Sequence, residues 1–218
     1  SLGSVMLPRV AHLLATGDHK AVNKMHEMSF LIYNLVIFPM MAGILIVNDD
    51  FVQFFLGQDF QDARYAIAIM IFRMFFIGWT NIMGIQILIP HDRNKEFMIS
   101  TTAPAIISVG LNLLFLPKLG YIGAAIVSVL TEALVWTIQL YFTRRYLKEV
   151  PIIGSMTKII LASAIMYGIL LGSKTVIHFS PTLNVLVFAV LGGIIYLFAI
   201  LSLKVIDVKE LKQIIGKK

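Results

Sequence analysis

The sequence has no cysteine, which excludes disulfides and thiolate metal sites. It is also short of charge. Asp, Glu, Lys and Arg make up 14% of its 218 residues, where soluble domains carry about 25%. It has no Gly-rich phosphate loop, no HExxH pair and no nucleophile elbow, so no hydrolytic or transfer site is evident and an enzyme is not expected. No signal-peptide pattern is visible. What the chain does have is apolar surface: 58% of the residues are hydrophobic and the mean hydropathy is +0.86. This composition predicts an all-α, polytopic transmembrane helix bundle lying in a lipid bilayer.

The pattern of long apolar runs predicts six spans. Ser1 to Leu7 reads as the end of a helix that begins upstream, with Pro8 and Arg9 bringing the chain out on a basic side. Residues 9–28 read as a polar connector. His12, His19 and His26 recur every seven residues in it, a spacing unlike the i, i+4 pair of metal-binding helices, and they are expected to be solvated. The spans follow at about Met28–Val47, Tyr65–Ile89, Phe97–Leu116, Ile122–Phe142, Ile159–Leu171 and Leu183–Leu203. An acidic loop at 48–62 separates the first two. Pro90 ends the second, ahead of the charged loop His91–Glu96. The turn Pro117–Tyr121 is so short that spans three and four are expected to form an antiparallel hairpin. The fifth span reaches full length only by borrowing from residues 152–158 or 172–177. Lys204 to Lys218 is basic and amphipathic, which suits an interfacial helix.

Lys and Arg are distributed unevenly over the loops. Of eighteen, fourteen fall on the side of Arg9, Arg93, Arg144, Lys204 and Lys218. Arg64, Lys118 and Lys174 fall on the other, and Arg73 lies within a span. The positive-inside rule then places the fourteen, and the C-terminus, in the cytoplasm. The net charge of +6 follows topology and does not suggest nucleic acid.

Arg73 and Glu132 are the two ionisable residues deep within spans. Both host helices enter from the external side. Arg73 is about 12 Å in from Tyr65 and Glu132 about 15 Å in from Ile122 at helical rise, so an ion pair is geometrically open. Arg73, Thr80 and Asn81 share one side of span two, with Gln86 roughly opposite. Ser128, Glu132 and Gln139 share one side of span four. Ionisable groups at membrane depth usually face a bundle interior or a watery cavity, so these six are the candidate pathway residues. Alternatively the pair only holds the bundle together. A cation in such a cavity attracts an anion such as pyrophosphate, and Glu132 is a candidate coupling site for a proton or sodium. No other cofactor or metal is expected.

Gly3–Arg9 with Gly17-Asp18, Pro39, Phe55–Phe60 with Ala63, Asn81–Pro90 with Arg93–Phe97, and Asn112 with Pro117–Gly120, Gly123–Ala125 and Thr131-Glu132 form a set of stretches. Together they resemble the bacterial polysaccharide (oligosaccharide-lipid) flippases of the multidrug/oligosaccharidyl-lipid/polysaccharide exporter superfamily. The likeness covers residues 1–148. It implies one lobe of a two-lobe, alternating-access transporter: 1–148 as the C-terminal lobe, 149–203 as two further spans and 204–218 as a basic tail. The implied cargo is a polyprenyl-pyrophosphate-linked oligosaccharide, flipped from the inner to the outer leaflet of the bacterial plasma membrane for capsule, lipopolysaccharide or related polymers. The implied partners are an N-terminal lobe of the same protein and the polysaccharide polymerase machinery. The alternatives are a peptidoglycan lipid-precursor flippase, a cation-coupled multidrug exporter, and a non-transporting membrane scaffold of polymer assembly.

Overall fold

The structure, a computed structural model, describes residues 2–176 and 179–205. These are helical, with no strand among them. In chain order the helices are α1 (Leu2–Ala15), α2 (His19–Phe55), α3 (Ala63–Asn81), a π-helical segment (Ile82–Leu88), α4 (Asn94–Leu147), α5 (Ile152–Lys174) and α6 (Pro181–Ser202). Among the described residues, five helices are long and apolar enough to cross a membrane, counting α3 and the π segment together. One of them, α4, is folded back on itself, so the described residues supply six helical arms, matching the six spans expected from hydropathy.

The connector expected at 9–28 is mostly helix. α1 runs through Pro8 to Ala15. The proline removes one backbone donor, but Val10, Leu13 and Leu14 pack against Val22 and Met25 of α2, and Val10 is fully buried. The break comes at Gly17, whose φ of 74° is easily adopted only by glycine. Asp18 then starts α2 by accepting the Ala21 N–H at 3.0 Å. Because the chain turns here, His12 of α1 does not continue the helical face that His19 and His26 share on α2. α2 has 37 residues, about 55 Å, and passes through Pro39 unbroken. Asp49 and Asp50, expected in a loop, lie on its last turns. The loop itself is 56–62.

α4 has 54 residues, about 80 Å if straight, which is far more than a bilayer needs. Gly120 interrupts it with φ 54° and ψ −137°. Two observations show that the arms run antiparallel from this single residue. A Cβ on Gly123 would lie 2.6 Å from the Phe115 carbonyl oxygen, and the Gln139 Nε2 donates to Ser100 Oγ at 3.2 Å. The expected hairpin is therefore present, with a turn tighter than the five residues Pro117–Tyr121. α5 takes residues from both flanks of the short run 159–171. α6 opens on Ser180 with Pro181 in its first turn, where a missing N–H is harmless. Of the basic tail, Lys204 and Val205 are described, and residues 206–218 lie outside the described residues.

The described parts of 1–33 and 62–152 form one compact unit, and those of 34–61 and 153–218 form another. In the second unit, Ile46, Val47, Met166, Leu170, Phe188 and Ile200 form an apolar core, and the Tyr196 hydroxyl donates to the Leu35 carbonyl at 2.8 Å. A polar clasp joins its helix ends. Lys174 Nζ lies 3.1 Å from Asp50 Oδ2 and donates to the Ile46 carbonyl at 2.7 Å. Asn184 Nδ2 donates to Asp50 Oδ1 at 2.9 Å and its Oδ1 accepts the Phe179 N–H at 3.2 Å. Asp50→Ala removes an acceptor shared by two elements. It is expected to lower stability by about 1–3 kcal/mol, read as a lower melting temperature of the detergent-solubilised protein.

Candidate functional site

The site lies in the first unit. α3 is apolar on nearly every side around its middle, so the cation there, Arg73, must find an anion within the protein. Arg73 meets Glu132 of α4. Arg73 Nη2 donates to Glu132 Oε1 at 3.0 Å and Nε reaches the same oxygen at 3.3 Å. Both donors share one carboxylate oxygen, unlike the paired fork in which an arginine grips two. The side chains are 38% and 19% exposed, so the pair is partly open. It borders a cavity of about 480 Å3, also lined by Thr80, Asn81, Thr101 and Thr131.

Five of the six sequence candidates line this cavity: Arg73, Thr80, Asn81, Glu132 and Gln139. Ser128 does not border it. Gln139 is almost wholly buried and holds Ser100 across the α4 hairpin, so its amide serves packing as well as the cavity wall. Thr101 and Thr131 were missed. A threonine in a span is as often bonded to its own helix as to anything else, and both hydroxyls do bond back, Thr101 to Phe97 at 3.1 Å and Thr131 to Val127 at 2.8 Å. An aromatic cluster backs the pair: Trp136 stands 6.2 Å from Trp79 and 5.8 Å from Phe76.

The π segment follows Asn81 directly. Its wide turn shows in the Ile89 N–H, which donates five residues back to Gly84 at 3.1 Å. His26 of α2 is packed against it, with Nε2 3.1 Å from the Gln86 carbonyl. A carbonyl only accepts, so Nε2 carries the proton and the neutral ring's Nδ1 is left as an acceptor. The expectation that His26 is solvated is therefore corrected: it is 1% exposed. Seven-residue spacing could not reveal this, because the partner is a main-chain group on another helix. Gln86 is fully buried and accepts from the Ser29 hydroxyl at 2.7 Å.

Below Pro90, the His91 ring stacks on Tyr146 at 4.1 Å, and its Nδ1 donates to the Ile87 carbonyl at 2.7 Å. Burial lowers the His91 pKa most, the hydrogen bond to Ile87 opposes this, and Arg145 and His19 lower it further. The folded protein thus binds the His91 proton less readily than the unfolded chain, whose value is about 6.5. Neutral His91 costs nothing above that pH. Stability falls as pH drops through it and goes on falling until the folded ring is charged. His91→Gln should flatten the acid side of a melting-temperature profile measured between pH 5 and pH 8.

Helices long and apolar enough to cross a membrane, with a charged pair bordering a polar cavity, define a multi-pass membrane protein. Residues 1–212 match the family described as the lipid II flippase MurJ, and the chain belongs to that family. It is also similar to an uncharacterized membrane protein of Methanocaldococcus jannaschii, with 27% identity over all of this chain and 42% of the relative. A probable low-salt glycan biosynthesis flippase, Agl15, of Haloferax volcanii is 20% identical over 90% of this chain and 41% of the relative. The chain thus spans about two-fifths of the length of these curated relatives. The resemblance read from the sequence agrees at the level of a lipid-linked flippase. The family shown is the one read there as the peptidoglycan alternative.

Proposed function

We propose that this chain is the C-terminal lobe of a transporter that flips a polyprenyl-pyrophosphate-linked saccharide from the inner to the outer leaflet for a cell-surface polymer. The observation that carries the reading is Arg73, a cation at mid-span depth on the wall of a polar cavity. Such a group attracts the diphosphate of a carrier lipid and repels cationic drugs, which disfavours a multidrug exporter. Glu132 holds the arginine between cargoes and is the candidate site for a coupling proton or sodium. Thr80 and Asn81 offer hydrogen bonds to the cargo along the same helix. The bias of Lys and Arg orients the protein with its C-terminus in the cytoplasm of the plasma membrane.

Two cargoes fit this chemistry. The name of the Haloferax volcanii relative supports an oligosaccharide for glycan assembly, and the family description supports the peptidoglycan precursor lipid II. Both carry sugar on a lipid carrier. The test depletes the full-length gene in its own host and extracts lipid-linked saccharides. Accumulation on the inner leaflet, with loss of one surface polymer, supports flipping, and the polymer lost names the cargo. Normal intermediates and normal polymers overturn the reading and leave a scaffold role.

A further inference from the structure

A second, smaller pocket lies on the other flank of α3. It has a volume of about 210 Å3 and is lined by Ser29 and Tyr33 of α2 and by Ile77, Asn81 and Gln86. Ile77 and Asn81 also line the Arg73–Glu132 cavity, so the two spaces share the ridge that continues from Arg73. The pocket contains an unmet hydrogen-bonding group. Gln86 is fully buried, and its Nε2 has no partner among the described residues. Whichever way round the amide faces Ser29, one of its two polar atoms is left over. An orphaned buried amide costs about 1–3 kcal/mol, and a water fills only about 30 Å3 of liquid volume, so the space exceeds what a single water requires.

The π segment brings these groups together. In an α-helix, residues five apart point about 140° away from one another. Where hydrogen bonds run five residues back, positions five apart fall on nearly the same side, and Asn81 and Gln86 face one pocket. Asn81 lies eight residues, about 12 Å, beyond Arg73, a span that holds a diphosphate and the start of a sugar ring.

We infer that the Ser29–Asn81–Gln86 pocket is a saccharide subsite that hydrogen-bonds the first sugar attached to the diphosphate held at Arg73. The inference rests on the proposed function. Its chemistry is a set of amides and a hydroxyl, which recognise neutral hydroxyl or acetamido groups, with the Tyr33 ring as an apolar wall. The ring lies against Gly78, where a Cβ would strike it, and its hydroxyl donates to the Met74 carbonyl.

The test uses the full-length protein in lipid nanodiscs and reads binding through the fluorescence of Trp79 and Trp136. The probes are farnesyl diphosphate and its glucosyl, galactosyl and N-acetylglucosaminyl esters. At least one glycosyl probe should bind roughly tenfold more tightly than the sugarless one, the effect of one hydrogen bond that a buried group otherwise misses. Asn81→Ala and Ser29→Ala should erase that increment alone, while Arg73→Ala weakens all four probes alike. Gln86→Leu should do as Asn81→Ala does, and the melting temperature of each variant checks that it folds. If no glycosyl probe exceeds farnesyl diphosphate, or if Asn81→Ala weakens every probe equally, the pocket holds only water and the inference fails. If no probe binds, the diphosphate reading fails and takes the inference with it.

Discussion

Arg73→Ala is expected to abolish flipping by the full-length protein and to lower its stability by about 2 kcal/mol. The stability figure lies between two limits: exposed ion pairs contribute about 0–1 kcal/mol, and breaking a buried one costs about 3–5 kcal/mol because a charge is stranded. Glu132, 19% exposed, sits between these cases. The informative variant is the double replacement Arg73→Met with Glu132→Met. Removing both charges strands neither, and a well-packed apolar pair often matches or exceeds the stability of the ion pair it replaces. Melting temperature should therefore recover, while transport of the lipid-linked saccharide stays lost. Recovery of both would mean that the pair only braces α3 against α4. Glu132→Gln distinguishes the partners further, because it keeps a hydrogen-bond acceptor beside Arg73 and removes only the titratable group.

Gly123→Val is expected to be the most damaging single change in the hairpin of α4. A side chain there meets the Phe115 carbonyl oxygen at 2.6 Å and its carbon at 2.9 Å. Those are main-chain atoms of a helix and have no rotamer to escape into. Overpacking of this kind costs about 1–3 kcal/mol, and here the strain falls three residues from the turn that aligns the arms. Spreading the arms displaces Ser100 from Gln139 and draws Glu132 away from Arg73. Gly123→Ala should show the same defect at smaller size. Gly110→Ala is the control, since a Cβ there meets nothing within 4 Å among the described residues. Melting temperature and yield of folded protein measure both.

The passes of the chain were legible in the sequence because hydropathy reports them directly, and equal depth made the meeting of Arg73 and Glu132 readable from two host helices alone. The hairpin was legible from the shortness of its loop. Other features depend on partners that a single segment does not display. Ser128 shares a helical side with Glu132 yet does not border the cavity, since the sharing of a side is coarser than the edge of a wall. α1 passes through Pro8 because of packing against α2, a tertiary effect that outweighs local preference. The π segment has no compositional signature, and without it neither the burial of His26 nor the meeting of Asn81 with Gln86 can be foreseen.

That wide turn also bears on how this chain is compared with its relatives. A π turn holds one more residue than the α turn it replaces. Deleting one residue from within this turn, between Asn81 and Gln86, would let regular bonding resume and leave the flanking helix nearly in phase, since four residues on an α-helix return to within about 40° of the same side. Asn81 and Gln86, then four apart, would still face the same side. An alignment gap of one residue in this stretch therefore marks a wide turn exchanged for a regular one, with the flanking spans and these two side chains kept in register.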